Sequence, residues 1–231
     1  NEAVTYKGRA LRGAELDRNG GKYPLIIISH GYPGTRYMMS YLAENLASKG
    51  YIVAAISHTE STVRDQAGFA STLLNRPLDI EFTLEKIAQF AESDSGHFLA
   101  GAVNANNTGL IGYSMGGYGV INAAGAGYTE SAVNLDWGVP GSHLEIRQHG
   151  NQTYQNSLDK RIKAIFVMAP WGANNGCWDQ ETMKGLEVPS FFAAGNQDDV
   201  SGYENGTKQL FEWSVNAERY LLTFKNARHN I

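Results

Sequence analysis

The 231-residue sequence predicts an α/β fold, in which a mostly parallel, twisted sheet carries helices on both faces. Short apolar segments alternate with helical segments along most of the chain, and this alternation is typical of parallel sheets. The composition is that of a globular protein, with 42% hydrophobic and 18% charged residues. The length suits one medium-sized domain, because single cores grow to roughly 250 residues before chains divide.

Six strands and four helices are predicted in alternation. Each strand is a short apolar run bounded by turn-forming residues, and the longer segments with helical spacing of apolar residues are assigned as helices. The predicted strands cover residues 24–29, 51–57, 108–113, 162–168, 188–194 and 219–224, and the predicted helices cover residues 37–49, 77–92, 115–124 and 203–215.

Pro77 places the start of the second helix, because proline suits the first helical turn, where its missing N–H is not needed. Arg76 and Asp79 flank this proline and are interpreted as a buried ion pair or a helix-start feature. The helix is expected to bury a face made of Leu78, Phe82, Ile87 and Phe90.

Residues 125–160 interrupt the alternation. They are polar and aromatic, rich in Gly, Asn and Gln, and have no sustained period. The segment is too long for an ordinary connection, so it is either a lid-like, substrate-lining excursion or a surface insertion without function. No linker or internal repeat divides the chain, so residues 1–231 are predicted to form a single domain.

Composition excludes several classes of function. A net charge of −4 argues against a nucleic-acid or anionic-membrane surface, and no apolar run approaches the roughly 18 residues of a membrane span. Neither a dinucleotide motif, a phosphate-binding loop nor a metal-ligand cluster is found, so no cofactor and no metal are predicted. Cys177 is the single cysteine, which excludes an internal disulfide.

The most informative motif is Gly-Tyr-Ser-Met-Gly at residues 112–116, a G-x-S-x-G pattern. It lies between a predicted strand and a predicted helix, the context of the sharp turn that exposes a nucleophilic serine. Ser114 would also lie at a helix N-terminus, where backbone amides favour developing negative charge. The sequence therefore predicts Ser114 as a nucleophile.

An acid and a histidine follow Ser114 in the chain, and this order of serine, acid and histidine is typical of the fold that carries such a turn. Asp198 and Asp199 come after the fifth predicted strand, and His229 follows the sixth, so all these groups meet at the carboxyl edge of the sheet. Asp198 is preferred as the acid, and Asp199 could instead cap the turn. The remaining histidines are assigned to bracing of the first loop, at His30, and to surface or packing positions, at His58, His97, His143 and His149.

The loop after the first strand, Ser-His-Gly-Tyr-Pro-Gly at residues 29–34, is expected to complete the site. A tetrahedral intermediate needs two donors aimed at its oxygen. The amide of Met115 would supply one and the amide of Tyr32 the other, since Pro33 cannot donate.

These motifs resemble α/β-hydrolases of the dienelactone-hydrolase-like group, which includes platelet-activating-factor-acetylhydrolase-like esterases and cutinase-type polyester hydrolases. The resemblance covers residues 24–231 and also includes Ala-Pro-Trp at 169–171 and Gly-Asn-Gln-Asp at 195–198. It implies a catalytic triad of Ser114, Asp198 and His229, with the Tyr32 and Met115 amides as the oxyanion hole. Trp171 resembles the aromatic residue that flanks the substrate in the polyester hydrolases, and a core tryptophan is its alternative interpretation.

The predicted function is a metal-independent serine carboxylesterase that forms an acyl-enzyme with a small-molecule or polymeric ester. Tyr113, Trp171 and Trp178 are predicted to line the acyl group. A polyester or lipid-ester hydrolase is the first alternative, and a hydrolase-fold binding protein without activity is the second.

The sequence departs from the family in three respects. Dienelactone hydrolases use a cysteine nucleophile where this chain has Ser114, and the cutinase-type enzymes carry a disulfide and lack so long an insertion. The chain ends two residues after His229, before the family's closing helix, and the family's first antiparallel strands are at best partly present before Pro24, so the chain is expected to be trimmed at both ends. Low charge density with many Asn and Gly is compatible with a secreted bacterial enzyme.

Overall fold

The computed structural model describes residues 8–66, 68–139 and 143–231. Within these ranges, six parallel strands form one sheet in the order β2-β1-β3-β4-β5-β6. The strands are β1 (Tyr23–Ser29), β2 (Ile52–Ala55), β3 (Val103–Tyr113), β4 (Ile162–Met168), β5 (Ser190–Gly195) and β6 (Arg219–Phe224). The predicted parallel sheet is confirmed, and every predicted strand is present.

In the described part of the chain, six α-helices accompany the sheet: α1 (Ser40–Ala47), α2 (Phe69–Ala91), α3 (Met115–Ala123), α4 (Glu130–Val133), α5 (Gln152–Ser157) and α6 (Lys208–Trp213). A π-helical turn, Tyr203–Thr207, precedes α6, and 3-10 turns cover His143–Arg147, Ala173–Asn175 and Thr182–Gly185. Of the helices described, none is both long and apolar enough to cross a membrane.

The two faces of the sheet bury different cores. Because side chains alternate along a strand, Ile27 and Leu110 belong to a large core shared with α2, α3 and α6, and Ile28 and Ile111 belong to a smaller core shared with α1. Helices therefore lie on both faces, as predicted.

The prediction for α2 is wrong in its start and in three of the four residues assigned to its buried face. The helix has 23 residues and contains Pro77 in its interior, eight residues after Phe69. Proline cannot donate to the carbonyl of Leu73 one turn earlier, and the Tyr118 hydroxyl in α3 donates to that oxygen instead, at 3.1 Å. The buried apolar face is the helical stripe Leu73, Ile80, Leu84, Ile87 and Ala91, and Leu78, Phe82 and Phe90 are exposed.

Residues 125–160 are packed onto the core through the parts that the structure describes. Tyr154 is fully buried, and its hydroxyl donates to the carbonyl of Asn122 at 2.5 Å. Arg147 is also buried and donates to both carboxylate oxygens of Glu81 in α2 and to the side-chain oxygen of Asn122. These contacts join the segment to α2 and α3.

Candidate active site

Ser114 lies at the turn between β3 and α3 with a backbone φ of 53° and ψ of −117°. A positive φ is rare for a residue with a side chain, and such strain is concentrated at functional turns. Glycine is required on both sides of Ser114, because a Cβ atom there would clash with the backbone. A Cβ at Gly116 would lie 2.0 Å from the carbonyl oxygen of Ser29, and a Cβ at Gly112 would lie 2.4 Å from the carbonyl oxygen of Gly116.

The structure brings together the three side chains predicted as a triad. His229 Nε2 lies 2.9 Å from Ser114 Oγ, and His229 Nδ1 lies 3.0 Å from each carboxylate oxygen of Asp198. Asp198 follows β5 and His229 follows β6, so both reach Ser114 from the carboxyl edge of the sheet. These contacts are those of a nucleophile, a base and an orienting acid.

The Asp198 carboxylate is held in its ionised form. Burial opposes ionisation, but hydrogen bonds from the His229 imidazole and from the Val200 and Ser201 amides outweigh it and lower the pKa of Asp198. The ionised carboxylate accepts the Nδ1 proton of His229, which leaves the Nε2 lone pair facing the Ser114 hydroxyl. The imidazole is therefore in the tautomer that a general base requires.

Asp199, the alternative acid, does not reach His229. Its exposed carboxylate pairs with the Arg228 guanidinium, with Nε 3.1 Å from Oδ1. The structure thus brings Asp198, not Asp199, to the histidine. Within the three described ranges, no three His, Cys, Asp or Glu side chains form a group that could hold a metal ion.

The loop that carries His229 is held against β5 and β3. A Cβ at Gly195 would lie 2.2 Å from the Ala227 carbonyl oxygen, so only glycine allows this close approach. The Tyr113 hydroxyl donates to the Asn230 side-chain oxygen at 2.5 Å, and its ring centroid lies 5.4 Å from that of His229. Tyr113 therefore packs against the histidine loop, and its role as a wall for the acyl group stays a prediction.

The two predicted oxyanion donors border Ser114. Met115 follows it directly at the first position of α3, and Gly31, the neighbour of Tyr32, is so close that a Cβ on it would lie 3.5 Å from the Ser114 Cβ. Within the described residues, neither the Tyr32 nor the Met115 amide donates a hydrogen bond to a protein group. Among those residues both amides thus lack an acceptor, a condition that an oxyanion donor has to meet.

A cluster of four half-buried aromatic side chains adjoins the serine; we call Tyr32, Phe69, Trp137 and Trp171 the aromatic cluster. The backbone amide of Trp171 donates to the Ser114 carbonyl oxygen at 3.1 Å. Phe69 stands edge-on to both Trp171 and Tyr32, with ring centroids 5.1 and 5.9 Å apart, and Trp137 lies 6.0 Å from Trp171. Each of these four side chains retains some access to solvent.

The sequence predicted both Trp171 and Trp178 as substrate-lining, and the structure separates the two. Trp178 is 1% exposed, and its indole N–H donates to the Ala126 carbonyl at 2.9 Å, so it is a core residue and its prediction as substrate-lining is wrong. Phe69 and Trp137 were not predicted. Phe69 begins α2, eight residues before the predicted start, and Trp137 belongs to the aperiodic segment, where no pattern indicates a neighbour.

Known proteins are similar to parts of this chain. A family model for platelet-activating factor acetylhydrolase, isoform II, matches residues 5–97. Cutinase est1 of Thermobifida alba is 32% identical over 107 residues, 46% of this chain and 32% of that protein. Cutinase cut1 of Thermobifida fusca is 28% identical over 107 residues, 46% of this chain and 30% of that protein. Platelet-activating factor acetylhydrolase of Bos taurus is 49% identical over 45 residues, 20% of this chain and 10% of that protein.

The chain spans about a third of the length of the cutinases it matches. The names of these relatives are those of ester hydrolases. The similarities confirm the resemblance found from the motifs, and with the parallel sheet they confirm the α/β-hydrolase fold.

Proposed function

We propose that this chain is a serine carboxylesterase in which Ser114 attacks the ester carbonyl. The observation that carries the proposal is the continuous series of hydrogen bonds from Ser114 Oγ through His229 to the Asp198 carboxylate. His229 Nε2 takes the serine proton as the Oγ–carbon bond forms, and the ionised carboxylate stabilises the imidazolium.

The tetrahedral intermediate places its negative oxygen toward the Tyr32 and Met115 amides, where each donor contributes about 3 kcal/mol to transition-state stabilisation. His229 then protonates the leaving alkoxide, and an acyl-enzyme remains on Ser114. Water, deprotonated by His229, attacks the acyl carbonyl, and the released serine recovers its proton from the imidazolium. No metal takes part in this sequence of steps.

Replacement of Ser114 by Ala tests the proposal. We expect a fluorophosphonate probe to label the wild-type protein and not Ser114→Ala, and kcat for p-nitrophenyl acetate to fall by roughly 10⁵ or more. Ser48→Ala, at an exposed serine after α1, is the matched control and should label and turn over like the wild type. Equal labelling of Ser114→Ala would reject Ser114 as the nucleophile, and a folded wild type that is neither labelled nor active would support the inactive binding protein instead.

A second candidate function is hydrolysis of polyesters, which we propose because the aromatic cluster offers an extended apolar surface beside Ser114. Flat or long acyl groups gain from stacking on such rings, and an acetyl group is too small to reach them all. Trp137 lies in the 125–160 segment, so this reading gives that segment a substrate-lining role.

Trp137→Ala separates the two candidates. If the cluster binds polymer, the variant should release soluble products from an aromatic polyester film about 5- to 20-fold more slowly, with kcat/KM for p-nitrophenyl acetate within about two-fold of wild type. Trp213→Ala, which removes a half-buried indole from α6, is the control for loss of stability. Equal losses on film and acetate, or a wild type that leaves the film intact, would reject the polyester reading.

A further inference from the structure

A buried polar cluster lies behind the loop that carries Tyr32. We call it the loop anchor; its side chains are those of Ser29, His30, His58, Ser61 and Arg76, each no more than 1% exposed. The proposed reaction uses none of these side chains as nucleophile, base or donor. Burying so many polar groups costs free energy unless they are hydrogen-bonded. The hydrogen-bond partners of these side chains therefore indicate what the cluster does.

Part of the loop anchor repeats the hydrogen-bond order of the triad. His58 Nε2 lies 2.8 Å from Ser29 Oγ, and His58 Nδ1 lies 2.6 Å from a carboxylate oxygen of Asp79. Ser29 is fully buried, so no substrate can reach its hydroxyl. The arrangement is therefore a structural one, in which Asp79 and His58 hold the end of β1 against α2.

Arg76 makes the contacts that bear on the oxyanion site. Its Nη1 donates to the carbonyl oxygen of His30, and its Nη2 donates to the carbonyl oxygen of Gly31 at 3.0 Å and to Ser61 Oγ at 2.5 Å. One guanidinium thus holds two successive carbonyls of the loop.

The Gly31 carbonyl oxygen has a second donor. His30 Nδ1 lies 2.6 Å from it, and since a carbonyl can only accept, that nitrogen carries the proton. The other ring nitrogen, Nε2, accepts the backbone N–H of His58 at 3.2 Å. Burial, with the nearby Arg76 charge, lowers the pKa of His30 to about 3, so this neutral tautomer persists at ordinary pH.

The Gly31 carbonyl and the Tyr32 N–H are the two ends of one peptide unit. Because the unit is planar, fixing its oxygen from one side fixes the direction of its N–H on the other. A cationic donor on the oxygen also polarises the amide and strengthens its N–H as a donor. The two hydrogen bonds on Gly31 therefore act directly on the candidate oxyanion donor.

We propose that Arg76, with His30, is a positioning residue that holds the Gly31–Tyr32 peptide plane so that the Tyr32 N–H faces the oxyanion. This inference rests on the proposed esterase function. It requires arginine, because the planar fork spans the His30 and Gly31 carbonyls together, and a lysine ammonium at the end of a flexible stem cannot replace both donors in the same geometry.

The test compares Arg76→Lys with Arg147→Lys, a matched control at an equally buried arginine whose guanidinium bonds Glu81 and Asn122 instead. We measure kcat and KM for p-nitrophenyl acetate and the affinity for a trifluoromethyl ketone, whose adduct with Ser114 carries an oxyanion. Arg76→Lys should lose about 30- to 100-fold in kcat, with KM within about two-fold and a parallel loss of ketone affinity. Arg147→Lys should lower the melting temperature and leave kcat unchanged.

The other outcomes separate a failure of the positioning role from a failure of the proposed function. A folded Arg76→Lys with wild-type kcat, or with changes in KM alone, overturns the positioning role. If Arg76→Lys does not fold, Ser61→Ala, which removes one acceptor of the guanidinium, takes its place and should lose several-fold in kcat and in ketone affinity together; an unchanged kcat again overturns the inference. A wild type without esterase activity instead overturns the proposed function itself.

Discussion

Replacing Asp198 with Asn should lower kcat for p-nitrophenyl acetate by about 10⁴ and leave KM nearly unchanged. The structure indicates how the carboxamide would sit. Asp198 Oδ1 accepts the Val200 and Ser201 amides at 2.9 and 3.0 Å, so the amide oxygen would take that position and the NH₂ would face His229 Nδ1. His229 would then carry its proton on Nε2 and could not accept the serine proton.

Asp199→Asn is the matched control for this experiment. It makes the same change one residue along, at a carboxylate that is exposed and paired with Arg228. Its kcat should stay within about two-fold of the wild-type value. Comparable losses in the two variants, with both proteins folded, would contradict the assignment of Asp198 as the orienting acid.

Stability should fall steeply in acid, and the loop anchor is the reason. Burial lowers the pKa of His58 to about 4 and that of His30 to about 3, although Asp79 opposes the shift at His58. The same side chains in the unfolded chain protonate near their ordinary pKa of about 6.5. Between about pH 6.5 and pH 4 the unfolded state therefore binds more protons, so the free energy of unfolding decreases as the pH falls.

The expected loss is on the order of 3–4 kcal/mol between about pH 7.5 and pH 5 for the two histidines together, measured by urea unfolding. His58→Gln keeps a donor and an acceptor at that position but cannot titrate. Its unfolding free energy should depend less steeply on pH, by about 1.4 kcal/mol per unit between about pH 6 and pH 4. Parallel pH dependences for the variant and the wild type would show that His58 does not supply this effect.

Local patterns were sufficient for most of the sheet, because buried parallel strands are continuous apolar runs. They were insufficient where tertiary contacts override local preference. β3 begins at Val103, five residues before its predicted start, because Val103 and Asn104 pair with Tyr23 and Pro24 of β1 across a register shift that no apolar run indicates. α2 passes through Pro77 because Tyr118, from a different helix, satisfies the carbonyl that proline leaves without a donor.

The sequence by itself determined the order of the motifs, and with it the edge of the sheet at which Ser114, Asp198 and His229 would meet. That inference succeeds because parallel strands place all their carboxyl ends on one side. Only the tertiary structure decided what surrounds them: Phe69 and Trp137 packed with Trp171, Trp178 in the core, and Arg76 behind the Tyr32 loop. These neighbours come from segments far apart in the chain, and their contacts depend on how helices pack on the sheet, which no local spacing records.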